Sequence, residues 1–189
     1  MRGVTILPEY ATLIRAGYKT WECRASRPPA TFMGERIFIH SGKGKLTDQR
    51  QVGPDWRMTA YTDGAWCLNH TQHGSDGRLL LVPGAVVATA VLAECLPIVG
   101  PLRRPVESCI VRDRASLTLV RMGPRGESVL AREDLSHELD VGWWTVQWYA
   151  WHLTDVHTLP VPVEARGKMG WWSWDETGVE TARVDGPDR

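Results

Sequence analysis

The chain has 189 residues, which at roughly 100–200 residues per domain fits one domain with long insertions and excludes a second full one. Hydrophobic residues make up 43% and charged residues 23% of it, ordinary proportions that exclude wholesale disorder and a fibrous repeat. The 22 Lys and Arg balance the 22 Asp and Glu, so bulk charge does not hold duplex DNA, and any nucleic-acid affinity is modest, salt-sensitive and local.

The local distribution is uneven. Residues 1–50 carry nine basic side chains against four acidic ones, and that end is basic by five. Residues 9–16 (EYATLIRA) set Tyr10, Leu13 and Ile14 on one helical stripe, with Pro8 as a start signal and Gly17 as a left-handed stop. From Lys19, the string KTWECR alternates as a strand with Thr20, Glu22 and Arg24 on one face and Trp21 and Cys23 on the other. RIFIH (36–40) predicts a second strand with a polar exit at His40 and Ser41.

Residues 44–79 show no sustained period and read as an insertion or irregular subdomain. From Leu79 to Val99 a short apolar run turns at Pro83-Gly84 into a long Val/Ala run, the clearest buried strand. Residues 103–140 read as a second insertion, in which SLTLVRM (116–122) and a Gly-Pro-Arg-Gly turn suggest a hairpin. The string from Val146 onward alternates through Tyr149, Trp151 and Leu153, is expected to turn near Asp155, and returns through Val161 and Val163. Residues 175–189, with five acidic and two basic side chains, read as a polar tail after a single domain spanning 1–174. Short strands with one early helix place the chain in the α+β class, as a small barrel.

Cys23, Cys67, Cys95 and Cys109 form no tight pair, which suits a reduced, cytoplasmic protein. No apolar run has the length of a signal peptide or a membrane span, so no membrane partner is expected. Cys67, His70 and His73 are metal-capable, but their spacing is not that of a zinc finger, and we read them as a surface loop with no metal. No cofactor motif is present, and Gly74-Ser75-Asp76-Gly77 lacks the strand-Ser-helix setting of a nucleophile elbow.

Seven of the ten tryptophans crowd the last third: Trp143, Trp144, Trp148, Trp151, Trp171, Trp172 and Trp174. Most belong in a core. One or two of Trp171, Trp172 and Trp174, beside Arg166 and Lys168, are expected at the surface as a platform for unpaired bases. Gly167-Lys168-Met169-Gly170 offers flexible backbone and one cation for a phosphate.

The order of a helix, Gly17-x-Lys19-x-x-Glu22-x-Arg24, the strand RIFIHSGK, the strand PGAVVATAVL, and a closing YAWHL with GKMGWW resembles the ASCH domain family of the PUA-like superfamily. The resemblance covers residues 5–43, 80–98 and 147–174 in patches and implies a β-barrel whose cleft, beside the N-terminal helix, meets RNA or a modified nucleobase. The residues support the same picture. A helix ending at Gly17 delivers Lys19 to a turn, and a cation beside a carboxylate holds a phosphate and reads a base edge together. The binding set is then Lys19, Thr20, Glu22, Arg24, His40, Ser41, Lys168 and Trp172, with single-stranded nucleic acid or a modified nucleoside as partner.

One branch of that family hydrolyses N4-acetylcytidine with a Lys, a Thr shortly beyond it and a Glu on a later strand, and other members are reported as ribonucleases. Lys19 matches, but Glu22 stands where the Thr is expected and Thr89 where the Glu is expected. If the chain is an enzyme, Lys19, Thr20 and Glu22 are its catalytic candidates, with Lys19 as base. A protein-interaction module built on the insertions is the third reading.

Overall fold

The computed structural model describes residues 1–44, 46, 52, 55–60, 65–71, 78–101, 107–123 and 129–174. The chain opens with strand β1 (Arg2–Ile6), helix α1 (Pro8–Arg15) and strand β2 (Trp21–Arg24). Pro8 occupies the first helical turn and Glu9 adds an acidic residue there, which suits the helix dipole. The helix stops where Gly17 takes φ 80°, a conformation that a Cβ disfavours. Gly17 N–H bonds Ile14 O at 3.0 Å and Tyr18 N–H bonds Leu13 O at 2.9 Å, which is the Schellman closure. Lys19 N–H also reaches Leu13 O, at 3.2 Å, so the backbone of Lys19 is pinned under the helix end.

A one-turn 3-10 helix (Ala30–Phe32) leads to β3 (Arg36–Ser41), which runs parallel to β1. On its other edge β3 pairs antiparallel with β7 (Ala85–Val99), a 15-residue strand. β7 is also paired along its length with β11 (Tyr149–Glu164), and β11 carries β2 on its outer edge. β12 (Trp171–Ser173) adds to β1. Beyond the stretch paired with β3, β7 runs parallel to β8 (Cys109–Arg112), which continues antiparallel into β9 (Leu117–Met122) and β10 (Val129–Asp134). A 3-10 segment (Ser136–Val141) follows β10.

Residues between β3 and β7 form a small antiparallel sheet of their own: β4 (Trp56–Ala60), β5 (Trp66–His70) and β6 (Arg78–Leu80). Helix α1 lies between the two sheets. Ala11 and Ile14 pack with Val4, Ile37 and Val87 of the main sheet, while Leu13 packs with Trp56, Met58 and Leu68 of the small one. A third cluster, including Trp21, Ile98, Leu117, Leu135 and Trp144, fills the space beneath β8 and β9.

Mostly strand with one α-helix, the fold is α+β. The described ladders run from β12 to β2 and do not join those two ends. The helix, the strand at RIFIH, the long Val/Ala strand and the hairpin after residue 116 fall where the sequence places them. Two features differ. The expected elements begin at residue 9, and the structure adds β1 ahead of them. The expected turn near Asp155 is a bulge: Asp155 takes φ 46°, the register slips between Thr154 and His157, and β11 continues to Glu164. Arg36 holds the bulge by an ion pair with the Asp155 carboxylate and a 3.0 Å bond to its carbonyl. The long edge of β7 gives both halves a partner, so the chain bends without reversing. The polar tail, 175–189, lies outside the described residues.

Candidate nucleic-acid interface

Lys19 is the central residue. Its side chain is 1% exposed, and a buried ammonium costs several kcal/mol unless it is paired and hydrogen-bonded. Its Nζ donates to Trp21 O and lies 3.9 Å from Glu22 Oε2. The rings of Tyr10 and Trp144 face it, with centroids 5.6 and 6.0 Å from Nζ, in cation–π range.

Glu22 is shared. Its Oε1 lies 3.0 Å from Arg24 Nε as an ion pair without hydrogen-bond alignment. Arg24 in turn donates from Nη2 to Thr5 O at 2.8 Å, tying β2 to β1. Lys19, Glu22 and Arg24 therefore converge on one cavity of about 540 Å³, whose walls include Tyr10, Trp143 and Trp148. That size suits a small ligand such as a nucleoside.

Thr20 does not line this cavity among the described lining residues. Its N–H and hydroxyl both donate to Glu138 Oε1, each at 2.6 Å. Glu138 is fully buried, its second oxygen has no partner among the described residues, and its carbonyl accepts from Trp144 Nε1 at 2.7 Å. The sequence reading missed Glu138. Its signal was an acid set among the apolar residues Leu135, Leu139, Val141 and Trp144. Cys23 also lines the cavity, and burial pushes its thiol up to about 12 despite the opposing charge of Lys19. It is therefore held as the protonated thiol at neutral pH.

A second cavity, about 860 Å³, shares Thr5, Arg24, Gly42 and Lys43 with the first, so the two form one groove. Its far wall is the segment from Glu164 to Gly170, including Arg166 and Lys168. Lys168 is exposed, and its carbonyl accepts from Thr5 Oγ1 at 2.8 Å.

His40 lies on this wall but is 2% exposed, with Nε2 3.0 Å from Ala165 O. Burial lowers its pKa, and the bond to Ala165 partly opposes that. A buried imidazole bonded to the Ala165 carbonyl anchors the loop. Ser41 is buried and lines neither cavity; its carbonyl accepts from Gly84 N–H at 2.7 Å.

Trp172 is also not the exposed platform expected of it. It is buried edge-on against Phe38 at 4.7 Å, and its Nε1 donates to Thr5 Oγ1 at 3.1 Å. The exposed indole is Trp143, 56% exposed, at the mouth of the first cavity and edge-on to Tyr10. Thr89, the later-strand counterpart of the hydrolase pattern, is fully buried on β7 and bonded to Arg36 Nη1 at 3.2 Å, outside both cavities. Among the described residues no cluster of three or more His, Cys, Asp and Glu could hold a metal ion, and His73 lies outside them.

In this α+β domain helix α1 and strand β2 set an ammonium, a carboxylate and a guanidinium around a groove with aromatic side chains in its walls. The family model described as ASCH domain matches residues 4–109, more than half of the chain, and the chain belongs to that family. No curated protein matches it. Among the described residues no helix is long and apolar enough to cross a membrane.

Proposed function

We propose that this ASCH domain, with a PUA-like barrel architecture, binds single-stranded RNA and takes one base, plain or modified, into the cavity of Lys19, Glu22 and Arg24. The convergence of those three groups beneath three aromatic side chains carries the reading. The flat walls suit a heterocycle, Glu22 accepts from an exocyclic amine, and Arg24 supplies a planar cation. Membership of the ASCH family agrees with RNA binding in general.

The test is fluorescence anisotropy with a short random-sequence single-stranded RNA, comparing wild type with Arg24→Ala and Lys19→Met. Both variants are expected to lose most of the affinity while circular dichroism stays native. Unchanged affinity in both would transfer the function to another surface.

A hydrolase at the same cavity is the second reading, and one observation favours it. Lys19 is held in a buried setting next to Glu22, while Glu138 fixes the hydroxyl of the adjacent Thr20. Positioned groups of this kind suit amide or phosphodiester hydrolysis. Incubation with N4-acetylcytidine and with RNA separates the readings: acetate or cleaved strand that disappears in Lys19→Met marks an enzyme, and binding without product marks a reader.

A further inference from the structure

The groove does not end at the base cavity. Past Arg24 and Lys43 it opens into the larger chamber, whose walls hold four cations (Arg24, Lys43, Arg166 and Lys168) against one carboxylate, Glu164. In a chain whose charges sum to zero, and with Arg24 already paired to Glu22, that leaves a local excess of two on one concave surface. Lys43, Arg166 and Lys168 are exposed, and among the described residues no carboxylate lies within ion-pair distance of them.

The wall bearing the last two cations is pinned at three points. Ala165 N–H bonds Gly84 O at 3.0 Å, His40 Nε2 meets Ala165 O at 3.0 Å, and Thr5 Oγ1 bonds Lys168 O at 2.8 Å. Between them Gly167 crosses the imidazole so closely that a Cβ there would lie 2.3 Å from His40 Cε1. Only glycine allows that crossing. Held backbone carrying unpaired cations is preorganised for an anion, because little ordering remains to be done on binding. This wall lies beyond residue 109, where the family match ends.

We infer that the larger chamber is a phosphate subsite, so that the base cavity receives a nucleotide held within a strand and not a free nucleoside. The inference rests on the RNA-binding reading above. Each cation that neutralises a phosphate releases condensed counterions, and for single strands log K falls with log salt by about 0.7 per phosphate.

The test compares wild type with the double variant Arg166→Ala/Lys168→Ala, whose side chains are exposed and dispensable to the core. Three probes are used: a short random-sequence single-stranded RNA, an equimolar mixture of the four ribonucleosides, and their 5′-monophosphates. The expected result is RNA affinity at least about tenfold weaker in the double variant and a salt slope flatter by about 1.4, two phosphates' worth, with nucleoside binding unchanged. RNA binding of equal affinity and slope in both proteins overturns the subsite and leaves the base-cavity reading standing. Monophosphates that bind as tightly as the RNA and weaken equally in the variant overturn the strand assignment. If wild type binds none of the three probes, the RNA reading fails and the subsite fails with it.

Discussion

Glu138 reaches out of the 3-10 segment Ser136–Val141 to Thr20, and a single carboxylate oxygen accepts both the N–H and the hydroxyl of that residue at 2.6 Å. Residues 118 positions apart are thereby joined directly behind Lys19. Charge-assisted bonds of this kind contribute about 1.5–3 kcal/mol each when one partner is removed. Glu138→Ala is expected to lower unfolding stability by about 2–4 kcal/mol, and Glu138→Gln, which keeps an acceptor, by less. Urea denaturation reads both. Equal midpoints for wild type and Glu138→Ala would mean that the carboxylate does not brace the turn.

The pH dependence of stability follows from His40. Burial lowers its pKa from 6.5, so the fold prefers the neutral ring more than the unfolded chain does. Between the lowered folded value and 6.5 the unfolded chain binds more protons. Its contribution to stability is therefore complete above 6.5, falls as the pH drops toward the folded value, and levels off below it. His152 is shifted down by burial as well and acts in the same direction, so the wild-type curve alone does not isolate His40. The slope between about pH 5 and about pH 7 should be shallower in His40→Gln than in wild type. Parallel slopes would remove His40 as the titrating anchor of the loop at Ala165.

How much of this was legible depended on whether a signal was local. The helix at Pro8–Arg15 carries its own start and stop, and the strand β7 announces itself by an unbroken Val/Ala run. Lys19, Glu22 and Arg24 sit within six residues on one turn and strand, so spacing showed them as neighbours, whereas the cleft came from the family resemblance and strict alternation misplaced Thr20 and Cys23. Glu138 and the wall at Arg166–Lys168 come from distant segments, and only tertiary contacts bring them to Thr20 and Thr5. The bulge at Asp155 misled for a similar reason. An Asp between two alternating runs reads as a turn, yet the partner strand that carries the chain straight on lies some 65 residues earlier. The neighbours that bury His40 and Trp172, at Ala165 and Phe38, are likewise remote in sequence.

Cys23 provides a check on which cavity group is reactive. Its thiol, pushed up to about 12 mainly by burial, stays protonated well above neutrality although it lines the cavity of Lys19, Glu22 and Arg24. Iodoacetamide at about pH 8 should leave Cys23 unmodified in the folded protein and label it after urea unfolding, as mass spectrometry of the derived peptide would show. Rapid labelling of the folded state would mean that the cavity activates the thiol, and Cys23 would become a candidate nucleophile.

Two tryptophans separate packing from recognition. Trp172 is buried against Phe38 and bonded to Thr5, so Trp172→Ala leaves a large void and should cost about 3–5 kcal/mol of stability. Trp143 is 56% exposed at the cavity mouth, where removal should change the urea midpoint little. Loss of a stacking surface there is expected to weaken single-stranded RNA binding by about 1–3 kcal/mol. Measured side by side, the two variants should move different observables, the melting curve for Trp172→Ala and the binding isotherm for Trp143→Ala. An isotherm unchanged by Trp143→Ala would exclude that indole from contact with a base and leave Tyr10 and Trp148 as the aromatic walls.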